Sequence, residues 1–113
     1  MLDPSAPTRI RRFGGDALLR KLIDLFRTSG PEGIADIRDA LLNDDLVTAT
    51  RAAHSLKSSA GNLGLTYARM AAEEIELCLR DRDVHGAQEA LPRLEEQVHD
   101  GLKKLHDICP PTE

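Results

Sequence analysis

Aromatic residues are scarce in this chain of 113 residues, which has Phe13, Phe26 and Tyr67 but no tryptophan. A core must therefore come from leucine, isoleucine and alanine, which suit helices packed on helices. No stretch shows the sustained alternation of apolar and polar residues that a half-buried strand requires. The sequence thus predicts an all-α protein. We expect one domain over residues 1–109 and a frayed tail over 110–113.

Basic charge, long apolar runs and cysteine are also limited. The formal net charge is −4, whereas a nucleic-acid surface needs a basic excess, so no nucleic-acid partner is expected. No apolar run is long enough to span a membrane, and the first residues lack the apolar core of a signal peptide. Cys78 and Cys109 fit no metal spacing and are too few for a disulfide framework. We therefore expect reduced thiols and a cytoplasmic protein without a membrane partner.

Apolar residues recur at helical spacing through most of the chain. A short N-terminal helix is expected to begin near Pro4 and to end at residues 14–15, with Ile10 and Phe13 packed against the bundle. A second helix follows as far as residues 29–31, where a proline that lacks a backbone donor predicts a break or a sharp kink. A third helix is expected after that break.

Short turns separate the remaining helices. The polar turn at residues 43–45 caps one helix, Gly64 suits the left-handed position that ends it, and residues 81–83 form another polar turn. Short connections place consecutive helices antiparallel. The sequence therefore predicts an antiparallel up-and-down four-helix bundle with an extra N-terminal helix.

The segment from residue 44 to 64 predicts a helix with an unusual polar face. Its buried stripe consists of Leu46, Ala49, Ala53, Leu56, Ala60 and Leu63. At about 100° per residue, His54 lies roughly 135° from the middle of that stripe. Lys57 and Ser58 follow about one turn later, and Gly61 two turns later. Serine and glycine are poor helix residues, so their presence indicates either a partner that approaches the imidazole or tight packing by another helix.

The run at residues 54–64, HSLKSSAGNLG, resembles the phosphorylation motif of histidine phosphotransfer (HPt) domains. The family pattern has His, any residue, Leu, Lys and Gly, followed by small residues and then by an apolar residue and Gly. The resemblance implies that His54 is the phospho-acceptor and that Lys57 stabilises the phosphoryl group. Ser58 stands where the pattern usually has Gly, so slightly tighter access to the histidine is expected.

The resemblance also implies a function and a set of partners. The protein would relay a phosphoryl group between aspartates of receiver domains, or between a kinase receiver and a response regulator. Its partners would be response-regulator receiver domains and a hybrid sensor kinase, and it would be a monomer. Mg²⁺ is expected on the receiver, with no cofactor on this chain. The candidate docking residues are Val47, Thr50, Arg51, Ser58 and Gly61.

The reactive group is expected to be the imidazole alone. An unprotonated imidazole is a good nucleophile near neutral pH, and the outer nitrogen Nε2 is the more accessible one on an exposed helix. The sequence has no glycine-rich phosphate loop and no carboxylate cluster on the His54 face for Mg²⁺. We therefore expect a phosphoryl carrier rather than a true enzyme, without ATP binding or autokinase activity.

The acidic residues of the helix that follows are interpreted as a solvated face. They are Glu73, Glu74 and Glu76.

Two other functions stay open. A non-relaying interaction module would use the same face to bind and sequester a receiver or kinase domain. Alternatively, the histidines could bind a metal or haem, because His99 and His106 share one face of the last helix. No carboxylate or thiol completes a tetrahedral set there, so two exposed histidines are the simpler interpretation.

Overall fold

The computed structural model describes residues 1–110. Its helices are α1 (Ser5–Leu42), α2 (Leu46–Asn62), α3 (Thr66–Arg80) and α4 (Val84–Ile108). Helices α1 and α3 each pack against both α2 and α4, as expected for a bundle with short connections. In this part of the chain, β-pairing is limited to one isolated bridge between Leu2 and Leu65. The predicted all-α class is confirmed. The predicted tail falls mainly on residues 111–113, outside the described residues.

Helix α1 is longer than the sequence predicts. The break expected at residues 29–31 is wrong, because α1 continues through Gly30 and Pro31. Gly30 is buried, and a Cβ at that position would lie 3.2 Å from Val98 and 3.4 Å from Phe26. The helix therefore lies close to α4 at this point, and packing outweighs the hydrogen bond that a proline removes. The expected third helix is the second half of α1.

The extra N-terminal helix is not confirmed. Residues 5–13 belong to α1, but the interruption predicted at residues 14–15 is present, because Gly14 and Gly15 have non-helical backbone angles and the helix kinks there. Gly15 has φ of 68°, a conformation that favours glycine. Ile10 is buried as expected, but Phe13 is 85% exposed, so its predicted inward position is wrong. Phe13 directly precedes the two glycines at which the helix kinks.

The residues before α1 pack over the turn between α2 and α3. The Asp3 amide donates to the Gly64 carbonyl at 2.7 Å, and the Thr66 amide donates to the Met1 carbonyl at 3.1 Å. These bonds satisfy backbone groups at the end of one helix and the start of the next. The N-terminal segment thus covers one end of the bundle, and none of the helices within residues 1–110 has the length and apolarity that crossing a bilayer requires.

The three interhelical turns share one backbone motif. The second residue after each preceding helix, Asp44, Gly64 or Arg82, has a positive φ between 56° and 77°. The amide of the next residue donates to a carbonyl five residues earlier, which is a Schellman cap. These bonds join Asp45 to Ala40 at 2.8 Å, Leu65 to Ala60 at 2.9 Å and Asp83 to Cys78 at 2.8 Å. Asp45 also accepts from the Thr48 amide at 3.1 Å, which confirms the predicted cap of α2.

Alanines dominate the buried faces of α2 and α3. These buried alanines are Ala49, Ala53, Ala60, Ala68, Ala71 and Ala72. Small side chains let two helices approach closely, whereas larger core residues such as Phe26 and Leu94 come from α1 and α4. The close approach allows polar side chains at the edge of α2 to reach those at the edge of α3.

Candidate functional site

His54 lies on the exposed side of α2 and is held from the neighbouring helix. Its side chain is 61% exposed, whereas that of Glu76 on α3 is 11% exposed. The imidazole Nδ1 and the Glu76 Oε2 are 2.7 Å apart. The ring is therefore accessible to another molecule, while one of its two nitrogens is bound to a largely buried carboxylate.

Lys57 uses the same carboxylate. Its Nζ donates to Glu76 Oε1 at 2.5 Å, so each oxygen of Glu76 has one partner from α2. His54 and Lys57 are three residues apart and share one edge of that helix, which is why a single carboxylate can bind both. The two residues that the sequence selects for chemistry are thus joined through a third residue.

The negative charge of Glu76 determines which ring nitrogen of His54 carries the hydrogen. The hydrogen bond from Lys57 is the largest cause that lowers the pKa of Glu76; burial opposes it, and the bond to His54 adds to the lowering. Glu76 is therefore a carboxylate at neutral pH and can only accept hydrogen bonds. The Nδ1 atom must carry the hydrogen, and in a neutral ring this leaves the lone pair on Nε2.

Sequence analysis missed Glu76. The interpretation of Glu73, Glu74 and Glu76 as one solvated face is wrong for the last of them. Glu74 is exposed and Glu73 pairs with Arg69 at 3.2 Å, but Glu76 is buried between α2 and α3. A signal was present, because Glu76 directly follows the fully buried Ile75 and thus borders the apolar stripe of α3.

The candidate docking residues differ in how accessible they are. Val47 is 69% exposed, and Arg51 and Ser58 are also exposed. Thr50 is half-buried, and its hydroxyl donates to the Leu46 carbonyl at 2.7 Å, so only part of its side chain is presented to a partner. These residues extend along the outer side of α2 on both sides of His54.

Gly61 has a neighbour that the sequence did not predict. A Cβ at this position would lie 3.1 Å from Cδ of Arg69 on α3. The absence of a side chain at Gly61 therefore gives room to the arginine. This contact corresponds to the second explanation for the small residues of α2, namely close packing by another helix.

A shallow groove begins at His54 and extends toward the turns at residues 43–45 and 81–83. It lies between the first turns of α2 and the last turn of α3. The side chains that line it include Val47, Arg51, Leu79, Arg80 and Arg82. The groove thus combines apolar surface, three arginines and the acidic residues Asp44, Asp45 and Glu76.

The other histidines form no comparable centre. His99 and His106 line a separate surface groove together with Arg27 and Lys103. Within residues 1–110, no three side chains of the His, Cys, Asp and Glu types are grouped in a way that would hold a metal ion.

Comparison with protein families identifies the class of the chain. The family model described as the Hpt domain matches residues 21–107, which is more than half of the chain, so the protein belongs to the Hpt domain family. Membership implies phosphohistidine transfer in phosphorelays, with receiver domains as partners. Comparisons with curated proteins and with solved structures gave no match.

Proposed function

We propose that this protein relays a phosphoryl group between aspartates of receiver domains through Nε2 of His54, without binding ATP or phosphorylating itself. The observation that carries the proposal is the hydrogen bond between Nδ1 and the Glu76 carboxylate at 2.7 Å. It fixes the orientation of the ring and the position of its hydrogen, while the ring remains 61% exposed. Nε2 is then an oriented nucleophile at the surface.

In the proposed transfer, the lone pair of Nε2 attacks the phosphorus of an aspartyl phosphate. A nitrogen–phosphorus bond forms, the phosphorus–oxygen bond to the aspartate breaks, and the aspartate leaves as a carboxylate. The hydrogen on Nδ1 stays on the ring, so the imidazole gains positive charge during the reaction. The Glu76 carboxylate is already in place to stabilise that charge. Transfer to the next receiver is the reverse reaction with a second aspartate.

Lys57 has two roles in this proposal. Its hydrogen bond keeps Glu76 ionised, which the tautomer of His54 requires. It also stabilises the phosphoryl group after transfer, because an ammonium group pairs well with phosphoryl oxygens. Nζ is bound to Glu76 in the unmodified protein, so the second role requires the lysine to move from the carboxylate to the phosphoryl oxygens. Its long side chain has the necessary freedom.

The partner supplies the rest of the chemistry. A receiver domain would bring the aspartate and the Mg²⁺, so this chain needs no cofactor of its own, and phosphoryl transfer requires mainly positioning and charge neutralisation. The proposed docking surface includes Val47, Thr50, Arg51, Ser58 and Gly61. We place the protein in the cytoplasm as a monomer between a hybrid sensor kinase and a response regulator.

The test uses the whole chain and a receiver domain carrying a radiolabelled phosphoaspartate. The wild-type protein should acquire a label that is labile in acid and stable in alkali, and His54→Gln should acquire none. Incubation with ATP alone should give no label. A label that persists in His54→Gln would refute the assignment of the acceptor. Receiver binding without any label on the wild type would instead identify a non-relaying interaction module.

A further inference from the structure

Unpaired positive charge lies on one side of His54. Arg80 is exposed in the last turn of α3, and Arg82 is exposed in the turn that follows. Within the described chain, neither side chain has a hydrogen bond or an ion pair. Both line the groove that begins at His54, together with Arg51. Three guanidinium groups are thus available to a bound partner.

The other side of His54 differs. There Arg69 is already paired with Glu73 at 3.2 Å and lies against Gly61. A partner that extends in this direction would meet an arginine whose charge is already compensated. The distribution of available charge therefore favours contact with the end of the bundle that carries the turns at residues 43–45 and 81–83.

The groove also carries apolar surface. Val47, which is 69% exposed, and Leu79 line it beside the arginines. A small phosphorylated molecule would need the cations but not an exposed valine, whereas a protein interface combines apolar contacts with a charged rim. The groove also holds three acidic residues. Asp45 accepts from Thr48 and Glu76 binds His54 and Lys57, which leaves the single carboxylate of Asp44 against three guanidinium groups.

We propose that this groove is the docking site for the acidic rim of a receiver's phosphorylation site, and that Arg80 and Arg82 pair with carboxylates of that rim. The inference rests on the proposed function, because it takes a receiver as the partner. Mg²⁺ is bound in proteins mainly by carboxylates, so the surface around a receiver's phosphoaspartate is acidic and complements the arginines. Such complementarity acts mainly on association rate and on partner choice. The receiver covers His54 and extends farther toward the two turns than toward Ser58 and Gly61.

The experiment compares two phosphoryl donors on the same variants. One donor is a phosphorylated receiver domain, chosen as the one that labels the wild type fastest, and the other is phosphoramidate, which needs no docking surface. The double variant Arg80→Glu/Arg82→Glu should lose at least tenfold in the second-order rate constant of transfer from the receiver. Its labelling by phosphoramidate should stay within twofold of the wild type. The wild-type rate should also fall steeply with added salt, and the rate of the variant should not.

The matched control is Arg12→Glu/Arg93→Glu, which changes the net charge equally at two exposed positions outside the groove. It should transfer at the wild-type rate. Arg80→Gln/Arg82→Gln introduces no acidic group at the end of α3 and should lose an intermediate part of the rate constant of transfer from the receiver. This variant keeps the inference testable if the charge-reversed variant misfolds. Equal rates for the wild type and both groove variants would overturn the inference. A wild type that phosphoramidate labels, but no phosphorylated receiver does, would refute the relay itself.

Discussion

Nδ1 of His54 and Oε2 of Glu76 lie 2.7 Å apart across the interface of α2 and α3. The bond connects an exposed ring on one helix to a buried carboxylate on the next, so the relative position of two helices sets the orientation of the nucleophile. Buried alanines on both faces bring those helices together. The packing of the core therefore orients the imidazole and sets the position of its hydrogen. Without the close approach of the two helices, the ring could rotate and either nitrogen could carry the hydrogen.

Replacing Glu76 by glutamine should slow phosphoryl transfer from a receiver by roughly ten- to a hundredfold, by analogy with the loss seen when the carboxylate that orients a metal-binding histidine is removed. Glutamine keeps the size of the side chain but removes the negative charge that stabilises the imidazolium. The measurement is the single-turnover rate of His54 labelling at saturating receiver. Glu74→Gln, at an exposed position on the same helix, serves as the control and should be unaffected. A wild-type rate in Glu76→Gln would show that the carboxylate has no part in the reaction.

Replacing Lys57 by glutamine should raise the pKa of Glu76 toward its ordinary value. The hydrogen bond from Lys57 is the largest cause that lowers this pKa in the wild type, and a neutral amide stabilises a carboxylate less. A carbon-13 NMR titration of the Glu76 carboxyl measures the shift directly. Lys103→Gln on the exposed side of α4 should leave the titration unchanged. If both variants titrate as the wild type does, the ammonium group does not control the charge of Glu76.

Helical periodicity and local turn chemistry predicted the features that depend on a single helix or turn. The turn at residues 43–45 and the cap at Gly64 were predicted, and so was the exposure of His54. These features depend on local geometry, because about 100° per residue determines which side chains share a face. The contact with Glu76 was missed because it depends on how α2 and α3 are placed against each other, and 22 residues of sequence separation do not reveal that placement.

Local preferences are overridden at two positions. Pro31 was expected to interrupt a helix by its local chemistry, but Gly30 lets α1 pack against Val98 of α4 and the helix continues. The polar turn at residues 81–83 was predicted correctly, although Arg82 has a positive φ there, which favours glycine. In each case a local preference of a few kcal/mol or less was outweighed by the rest of the molecule.

Replacing Arg82 by glycine should make the protein more stable and less active. Arg82 has φ of 57°, and removing its Cβ relieves strain of about 1–2 kcal/mol, offset in part by about 0.4–1 kcal/mol from the more flexible unfolded chain. We expect a net gain of about 0.5–1 kcal/mol in the free energy of unfolding, measured in urea. Transfer from the receiver should slow, because the docking arginine is lost.

Asp44→Gly is the matched control, since Asp44 has φ of 56° at the corresponding position after α1. It should gain similar stability without slower transfer. Asp44 also lines the groove, but its carboxylate would repel an acidic receiver surface, so its removal should not weaken docking. If the Arg82→Gly variant is stabilised and transfers at the wild-type rate, Arg82 is excluded from the docking site. If it is stabilised and transfers more slowly, loss of structure cannot be the cause of the slower transfer.

The contribution of Glu76 to the free energy of unfolding should decrease as the pH falls. Its pKa in the folded protein is lowered from the ordinary value of 4.5, so the carboxylate stabilises the fold fully above that value, and the stabilisation is lost as the pH falls through the folded-state pKa. At pH 7, Glu76→Gln should lower the free energy of unfolding by about 1–2 kcal/mol, as expected for the loss of charge-assisted hydrogen bonds whose partners can regain water.

Urea unfolding at pH 7, 4 and 3 measures this dependence. The difference between wild type and Glu76→Gln should shrink as the pH falls, because a protonated Glu76 is itself neutral and close to glutamine in shape. Glu74→Gln should show no such trend, since Glu74 is exposed. A difference that stays constant from pH 7 to pH 3 would mean that the charge of Glu76 does not stabilise the fold, and that its bonds to His54 and Lys57 are equally strong when the carboxyl is protonated.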